Sequence, residues 1–277
     1  MISGNTRLIA HIGYPTSTFK APMIYNPYFE DRGIDAVVVP MGVKAEGYET
    51  AFRSILSFTN LHGALITMPH KVSTLALLDE ISTTARVAGA VNAVRKLDDG
   101  RLIGDMFDGE GFVRGILGKG CKVRGGSALV VGAGGVGSAI AASLAGAGLR
   151  QIALFDANAA TAEALAGRLH AHYPALGIST GSNDPAGFDL VVNATPLGME
   201  AGDPLPMDIT RLAPETFVGE VVMKAEMTAF LEAARAQGCR VQVGIEMLFE
   251  MIPAYLEFFG FPTTSAKTLR ALARISY

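Results

Sequence analysis

The chain has 277 residues, 49% hydrophobic and 18% charged, with 23 Lys and Arg against 26 Asp and Glu for a net charge of −3. That length supports two domains with a sizeable core, and the near-balanced charge gives no reason to expect nucleic acid as a partner. No apolar run approaches the roughly 20 residues of a membrane helix, Arg7 breaks the pattern of a secretory leader, and Cys121 and Cys239 form no C-x-x-C, which suits a reducing, cytoplasmic setting.

Arg7 to Ile12 predicts a first strand, followed by Gly13-Tyr14-Pro15 and a helix starting near Ala21-Pro22. Ala36 to Pro40 predicts a second strand, and Gly47 to Thr59 carries helical spacing at Ala51, Ile55 and Leu56. Gly63 to Thr67 predicts a third strand that runs into Met68-Pro69-His70-Lys71. Ala90 to Val94 and Arg101 to Asp105 read as a strand pair turning at Asp98-Asp99-Gly100, and a helix starts within Asp108 to Phe112.

Next comes the most informative segment. Ala128 to Val131 is a short apolar run that predicts a buried parallel strand. It enters Gly132-Ala133-Gly134-Gly135-Val136-Gly137 and then a helix-forming stretch from Ser138 to Ala147. Strand, glycine turn and helix in that order are the context in which G-x-G-x-x-G marks a dinucleotide site. Gly132 permits the tight turn, Gly134 lets the backbone approach a pyrophosphate, and Gly137 lets helix and strand pack closely. The unpaired N–H groups and positive dipole end of the helix receive the phosphates. Gln151 to Phe155 predicts the following strand, which ends at Asp156, placed to bind ribose hydroxyls. A carboxylate there accepts from a 2′-hydroxyl and repels a 2′-phosphate. Ala157 and Asn158 follow, and no Arg or Lys appears before Arg168. The expected cofactor is NAD rather than NADP, with Asn158 beside the same ribose.

Further strands are expected at Leu190 to Ala194, Thr216 to Val222 and Arg240 to Val243, and helices at Ile245 to Phe259 and Thr264 to Ile275. His170 and His172 stand two apart on a helix and point in different directions, so no metal site is expected.

Taken together, several motifs resemble the shikimate/quinate dehydrogenase family. They are Gly13-Tyr14-Pro15, Thr67-Met68-Pro69-His70-Lys71, Gly89-Ala90-Val91-Asn92, Asp108-Gly109-Glu110-Gly111-Phe112, the glycine turn, Asn193-Ala194-Thr195-Pro196-Leu197-Gly198-Met199 and Gly244-Ile245-Glu246-Met247-Leu248. The resemblance implies an α/β fold of two domains: an N-terminal substrate domain (1–106) rejoined by C-terminal helices (244–277), and a Rossmann-like NAD-binding domain (107–243). It implies that Lys71 is the catalytic lysine and Asp108 its carboxylate partner, with Thr67 and Asn92 toward the substrate. It also sets Asn193, Ala194, Thr195 and Pro196 against the cofactor, and Val221, Met223, Gly244, Met247 and Leu248 near the nicotinamide end. The chemistry agrees, since oxidising a secondary alcohol needs a group to take the hydroxyl proton as hydride leaves the same carbon.

The sequence also departs from the family pattern. Two serines that hold a substrate carboxylate in the family are Phe19 and Ala21 here, and an asparagine before the Thr67 motif is Leu65. The family's Asn-Thr before the aspartate is Met106-Phe107, a tyrosine is Met223, and a glutamine of the late helix is Met251. Phe19, Ala21 and Met251 therefore occupy substrate-binding positions with apolar side chains, and loss of polar partners erodes affinity for a polyhydroxylated acid.

The expected function is NAD-dependent hydride transfer with a ring secondary alcohol: shikimate, quinate or a less polar analogue. The chain is expected to act as a monomer or homodimer on a small hydroxy acid, away from membranes. A folate-linked dehydrogenase and a catalytically weak NAD-binding sensor are the alternatives. The Thr67 to Lys71 and Asp108 motifs argue against the first; retained Lys71 and Asp108 argue against the second, while Phe19, Leu65 and Met251 argue for it.

Overall fold

The computed structural model describes residues 2–200, 202–224 and 227–275. The chain divides into two compact units: residues 1–85, 89–107 and 252–277 form one, and residues 86–88 and 108–251 form the other. Gly244 to Met251, expected with the substrate domain, therefore group with the nucleotide unit.

In chain order the first unit carries β1 (Arg7–Gly13), α1 (Pro22–Arg32), β2 (Ala36–Gly42), α2 (Tyr48–Leu56), β3 (Leu61–Ile66) and β4 (Glu80–Ile81). Then follow α3 (Thr83–Ala88), whose last turn belongs to the second unit, β5 (Ala93–Lys96) and β6 (Leu102–Asp105). Its sheet runs β2-β1-β3-β5-β6-β4. The first three strands pair in parallel, and β5 pairs antiparallel with both β3 and β6. Strand alternation sends Ala10, Ile12, Ala64 and Ile66 to one face, where they meet Tyr48, Phe52 and Leu56 of α2. Pro22 at the first turn of α1 and left-handed Gly33 after its last residue set that helix's ends. The expected strand at Ala90 to Val94 begins at Ala93, because Asn92 turns its backbone between neighbours: Ile66 N donates to its carbonyl and its own N donates to Asp105 O.

The second unit carries α4 (Asp108–Gly118), β7 (Ser127–Val131), α5 (Gly135–Gly146), β8 (Gln151–Phe155), α6 (Ala159–His172), β9 (Gly177–Thr180) and β10 (Leu190–Asn193). After these come β11 (Phe217–Glu220), α7 (Ala229–Ala236), β12 (Arg240–Gln242) and α8 (Gly244–Phe258), while α9 (Ala266–Leu272) closes the first unit. The second sheet is parallel throughout in the order β12-β11-β10-β7-β8-β9, the doubly wound arrangement of dinucleotide-binding folds. Successive β7 residues serve opposite faces. Ala128 and Val130 pack with Ile140 and Leu144 of α5, and Leu129 and Val131 with Phe230 and Leu231 of α7. Both faces are covered, so these strands read as unbroken apolar runs.

Three glycines set how close the helices lie. A Cβ on Gly137 would strike Gly132 O, one on Gly109 would strike Ala139 O, and one on Gly111 would lie 2.6 Å from Met247 O and 2.8 Å from Met251 N. Met251, expected toward the substrate, is in the structure half-buried against α4 inside the nucleotide unit. Among the described residues no helix is long and apolar enough to cross a membrane.

Candidate active site

The substrate unit gathers its candidate residues at the ends of β1 and β3. Gly13 lies where those ends meet: a Cβ there would touch Thr67 Cγ2, approach Met68 O to 2.7 Å and the Phe19 ring to 3.0 Å. Tyr14 N donates to Met68 O at 2.9 Å and Thr67 N to Ile12 O at 2.9 Å, tying the two loops together.

Lys71 is held by its neighbours. His70 is buried, stacks on Tyr48 at 3.7 Å, and places Nε2 2.7 Å from Val43 O. Thr74 Oγ1 lies 2.6 Å from Tyr48 Oη and donates to His70 O at 2.7 Å, completing a buried anchor one residue from Lys71. Val91 N donates to Lys71 O at 2.9 Å, so the lysine backbone is fixed from the Gly89 to Asn92 motif as well. The Lys71 side chain is half-buried, and exposed Met68 and Val72 flank it.

Asn92 is buried, and its Oδ1 accepts from Phe107 N at 2.9 Å. Tyr255 Oη donates to Asn92 O at 3.5 Å, and Phe107 packs on Tyr255 with ring centres 4.8 Å apart. Asn92 thus holds local backbone, besides any role toward a ligand. Phe19 stacks on His11 at 4.0 Å with planes 25° apart, and Ala21 is half-buried beside it at the start of α1. Burial, aided by the positive charge of Lys71, pushes the His11 pKa down to about 4, so the imidazole is neutral at pH 7.

The nucleotide unit gathers its candidate residues at the end of β7. Gly132 adopts φ +101°, a conformation that favours glycine, and an added Cβ would lie 2.7 Å from the Ala194 carbonyl. Gly134 caps α5 in extended conformation, and a Cβ on Gly134 or Gly135 would meet nothing within 4 Å. The cradle is therefore tight behind and open in front, where the N–H groups of α5 begin, and these residues fit a pyrophosphate. Ala133 is buried and Val136 packs on the core beneath the turn. Asp156 Oδ2 accepts from Ala133 N at 2.8 Å and Oδ1 from Asn158 N at 2.9 Å, so the ribose candidate also clamps the glycine turn.

The Asn193 loop closes on itself. Asn193 Oδ1 accepts from Thr195 N at 3.1 Å and Oγ1 at 2.6 Å, and its Nδ2 donates to Leu197 O at 3.0 Å. Ala194 N donates to Val131 O at 2.7 Å, and exposed Pro196 carries the loop outward. Val221 to Met223 lie beyond the end of β11, which is shorter than expected, with Met223 42% exposed. Gly244 abuts this segment, its added Cβ reaching 2.8 Å from the Val221 carbonyl carbon. Met247 is buried in the core and Leu248 half-buried. Asp108 is buried at the first turn of α4. Glu246 pairs with Lys119 at 2.6 Å and accepts from Val243 N at 3.3 Å, which gives it a structural role.

Two groups escaped the sequence reading. Glu220, at the end of β11, is fully buried, accepts from Thr228 Oγ1 at 2.9 Å, and has its pKa pushed up to about 7 by burial. His11 lies inside β1 between Ala10 and Ile12. In each case the signal is an ionisable residue at a position whose neighbours are all apolar. Among the described residues no group of three or more His, Cys, Asp or Glu is arranged to hold a metal.

Residues 11–94 match the family model for the shikimate dehydrogenase substrate binding domain. A shikimate dehydrogenase (NADP(+)) of Rubrobacter xylanophilus is 34% identical over 98% of this chain and 97% of its own. Among solved structures, shikimate 5-dehydrogenase from Listeria monocytogenes, in complex with shikimate and NAD, aligns with a TM-score of 0.91 at 27% identity, covering 98% of this chain and 97% of that one. A ligand-free 5-ketofructose reductase of Gluconobacter sp. strain CHM43 aligns at 0.88 with 29% identity, covering 98% of each. The similarity runs through both units rather than through the glycine turn alone, and on that evidence the chain belongs to the shikimate dehydrogenase family of oxidoreductases.

Proposed function

We propose that the protein is a dehydrogenase of the shikimate/quinate type that uses NAD in preference to NADP and acts on a secondary alcohol of a ring substrate. The observation that carries this reading is the lysine anchor. A buried His70–Tyr48–Thr74 cluster and the Val91 bond to its carbonyl fix Lys71 from two sides, more than a solvated loop lysine requires.

NAD, when bound, supplies the hydride acceptor for alcohol oxidation. Gly132 to Gly137 would hold its pyrophosphate and Asp156 its adenosine ribose, and the loops at Asn193 to Pro196 and Val221 to Met223 would flank the nicotinamide end. Lys71 takes the hydroxyl proton as the carbinol C–H bond breaks, and returns it to the carbonyl oxygen in reduction. Asp108 is the carboxylate that, by family resemblance, partners the lysine. Buried Met247 keeps the floor of the cofactor half dry, which strengthens each electrostatic contact there. The NAD preference rests on Asp156 and on the absence of Arg or Lys between it and Arg168.

A panel of ring alcohols, with NADH formation followed in the unmodified protein and in Lys71→Ala, tests the proposal. Turnover on at least one ring alcohol is expected, with kcat about 10²-fold or more lower in Lys71→Ala and cofactor affinity unchanged. Turnover that survives the substitution refutes the lysine assignment. Phe19 stacked on His11 where the family carries a serine favours one other reading, an NAD-binding sensor. It would bind cofactor and turn over nothing in the panel.

A further inference from the structure

His11 Nδ1 and Tyr25 Oη are buried without a hydrogen-bond partner among the described residues, and both belong to the substrate unit. Leaving a buried ring nitrogen unpaired opposes folding, and an aliphatic residue would fill the same strand position without that penalty. The register of the sheet gives the nitrogen a context. His11 stands directly opposite Leu65 on the neighbouring parallel strand, so the two side chains share a face. Leu65 occupies the position where the family pattern carries asparagine. On that shared face His11 is the polar side chain and Leu65 the apolar one.

The ring is also chemically specified. Phe19 occupies one face of the imidazole by stacking and leaves the in-plane nitrogens to make directional contacts. A neutral imidazole offers one donor and one acceptor and no positive charge. That pair suits a hydroxyl or carbonyl oxygen and gives a carboxylate no countercharge. The two positions that carry carboxylate-holding serines in the family are Phe19 and Ala21.

We propose that His11 is a specificity-determining residue of the substrate unit, whose ring hydrogen-bonds an uncharged hydroxyl or carbonyl oxygen, so that the preferred substrate is a ring alcohol without a carboxylate. The proposal rests on the dehydrogenase reading above and narrows its substrate class.

Shikimate and its methyl ester present the same ring with and without the charge, and so form the test pair. The unmodified protein should favour the ester by tenfold or more in kcat/KM. His11→Leu should lower kcat/KM for the ester at least tenfold, chiefly through KM, with NADH affinity unchanged and Tm equal or higher. His11→Asn, which keeps a donor and an acceptor, should recover part of the loss. A merely structural histidine would instead lower Tm and depress both substrates alike. Preference for shikimate over the ester, or ester kinetics within twofold of wild type in His11→Leu, overturns the proposal. Calorimetric binding of the ester to the unmodified and His11→Leu proteins separates the two readings. His11-dependent binding without turnover sinks only the dehydrogenase reading, whereas binding that is absent or independent of His11 sinks this one.

Discussion

Asp156 makes a sharp claim, because the Rubrobacter relative is named as an NADP(+) enzyme. The perturbation is Asp156→Asn, which removes the charge and keeps one acceptor for the two backbone N–H groups the carboxylate now holds, Ala133 at 2.8 Å and Asn158 at 2.9 Å. Two like charges about 4 Å apart repel by roughly 4 kcal/mol at an effective dielectric near 20. Asp156 is half-exposed, so solvent screening reduces its repulsion of a 2′-phosphate to about 1–2 kcal/mol. A charge-assisted hydrogen bond to the 2′-hydroxyl contributes about 1.5–3 kcal/mol more. The combined preference for NADH over NADPH is of the order of 3 kcal/mol, roughly 10²-fold in Kd. The chain contains no Trp, so each reduced cofactor can be titrated by its own fluorescence without tryptophan background. Asp156→Asn should shrink the ratio below about tenfold, mostly by improving NADPH, while the half-retained clamp limits the loss for NADH. Equal or tighter NADPH binding by the unmodified protein, or a ratio untouched by the substitution, would refute the assignment.

Two glycine substitutions should separate cofactor binding from folding. Gly134→Ala adds a methyl to open space and should leave Tm nearly unchanged while weakening NADH binding, whereas Gly137→Ala drives a methyl into Gly132 O and should cost about 1–3 kcal/mol of stability; equal Tm values for the two variants would contradict this. Glu220 gives a pH signature: its pKa rises from 4.5 to about 7 on folding, so the folded state binds more protons between those values and stability falls as pH rises through the window, by up to about 3 kcal/mol. Glu220→Gln cannot ionise and should remove that fall; a Tm difference from wild type that stays constant from about pH 5 to 8 would show that the carboxyl does not titrate there. Shikimate and quinate should show millimolar or higher KM, above the 1 μM–1 mM common for enzymes on their own substrates, and Phe19→Ser with Ala21→Ser should raise kcat/KM for shikimate. A micromolar KM in the unmodified protein would mean that other residues hold the carboxylate.

Local chemistry made the sequence legible where short-range order decides the outcome. The apolar run into Gly132, the small residues of α5 and the acid after Phe155 are set by strand burial, turn conformation and helix termini, each acting over a few residues. The same holds for β1, β2 and β3, and for the turn between β5 and β6. Edge strand β9, Gly177 to Thr180, is mostly exposed and shows no alternation, so only its pairing with β8 defines it. The lysine motif named Lys71, but the stacking of His70 on Tyr48, from a helix earlier in the chain, supplies the anchor. Asp156 stood out in the sequence as a candidate ribose ligand and not as a clamp on the glycine turn, because that bond joins the ends of two neighbouring parallel strands. His11 is one polar letter in the strand RLIAHIG until the sheet sets it against Leu65 and the loop lays Phe19 across it. Periodicity and turn chemistry are local and survive in a linear reading. Burial, register and the pairing of distant side chains are properties of the assembled sheet, and they decide which of the legible residues are held, neutralised or left with a bond to make.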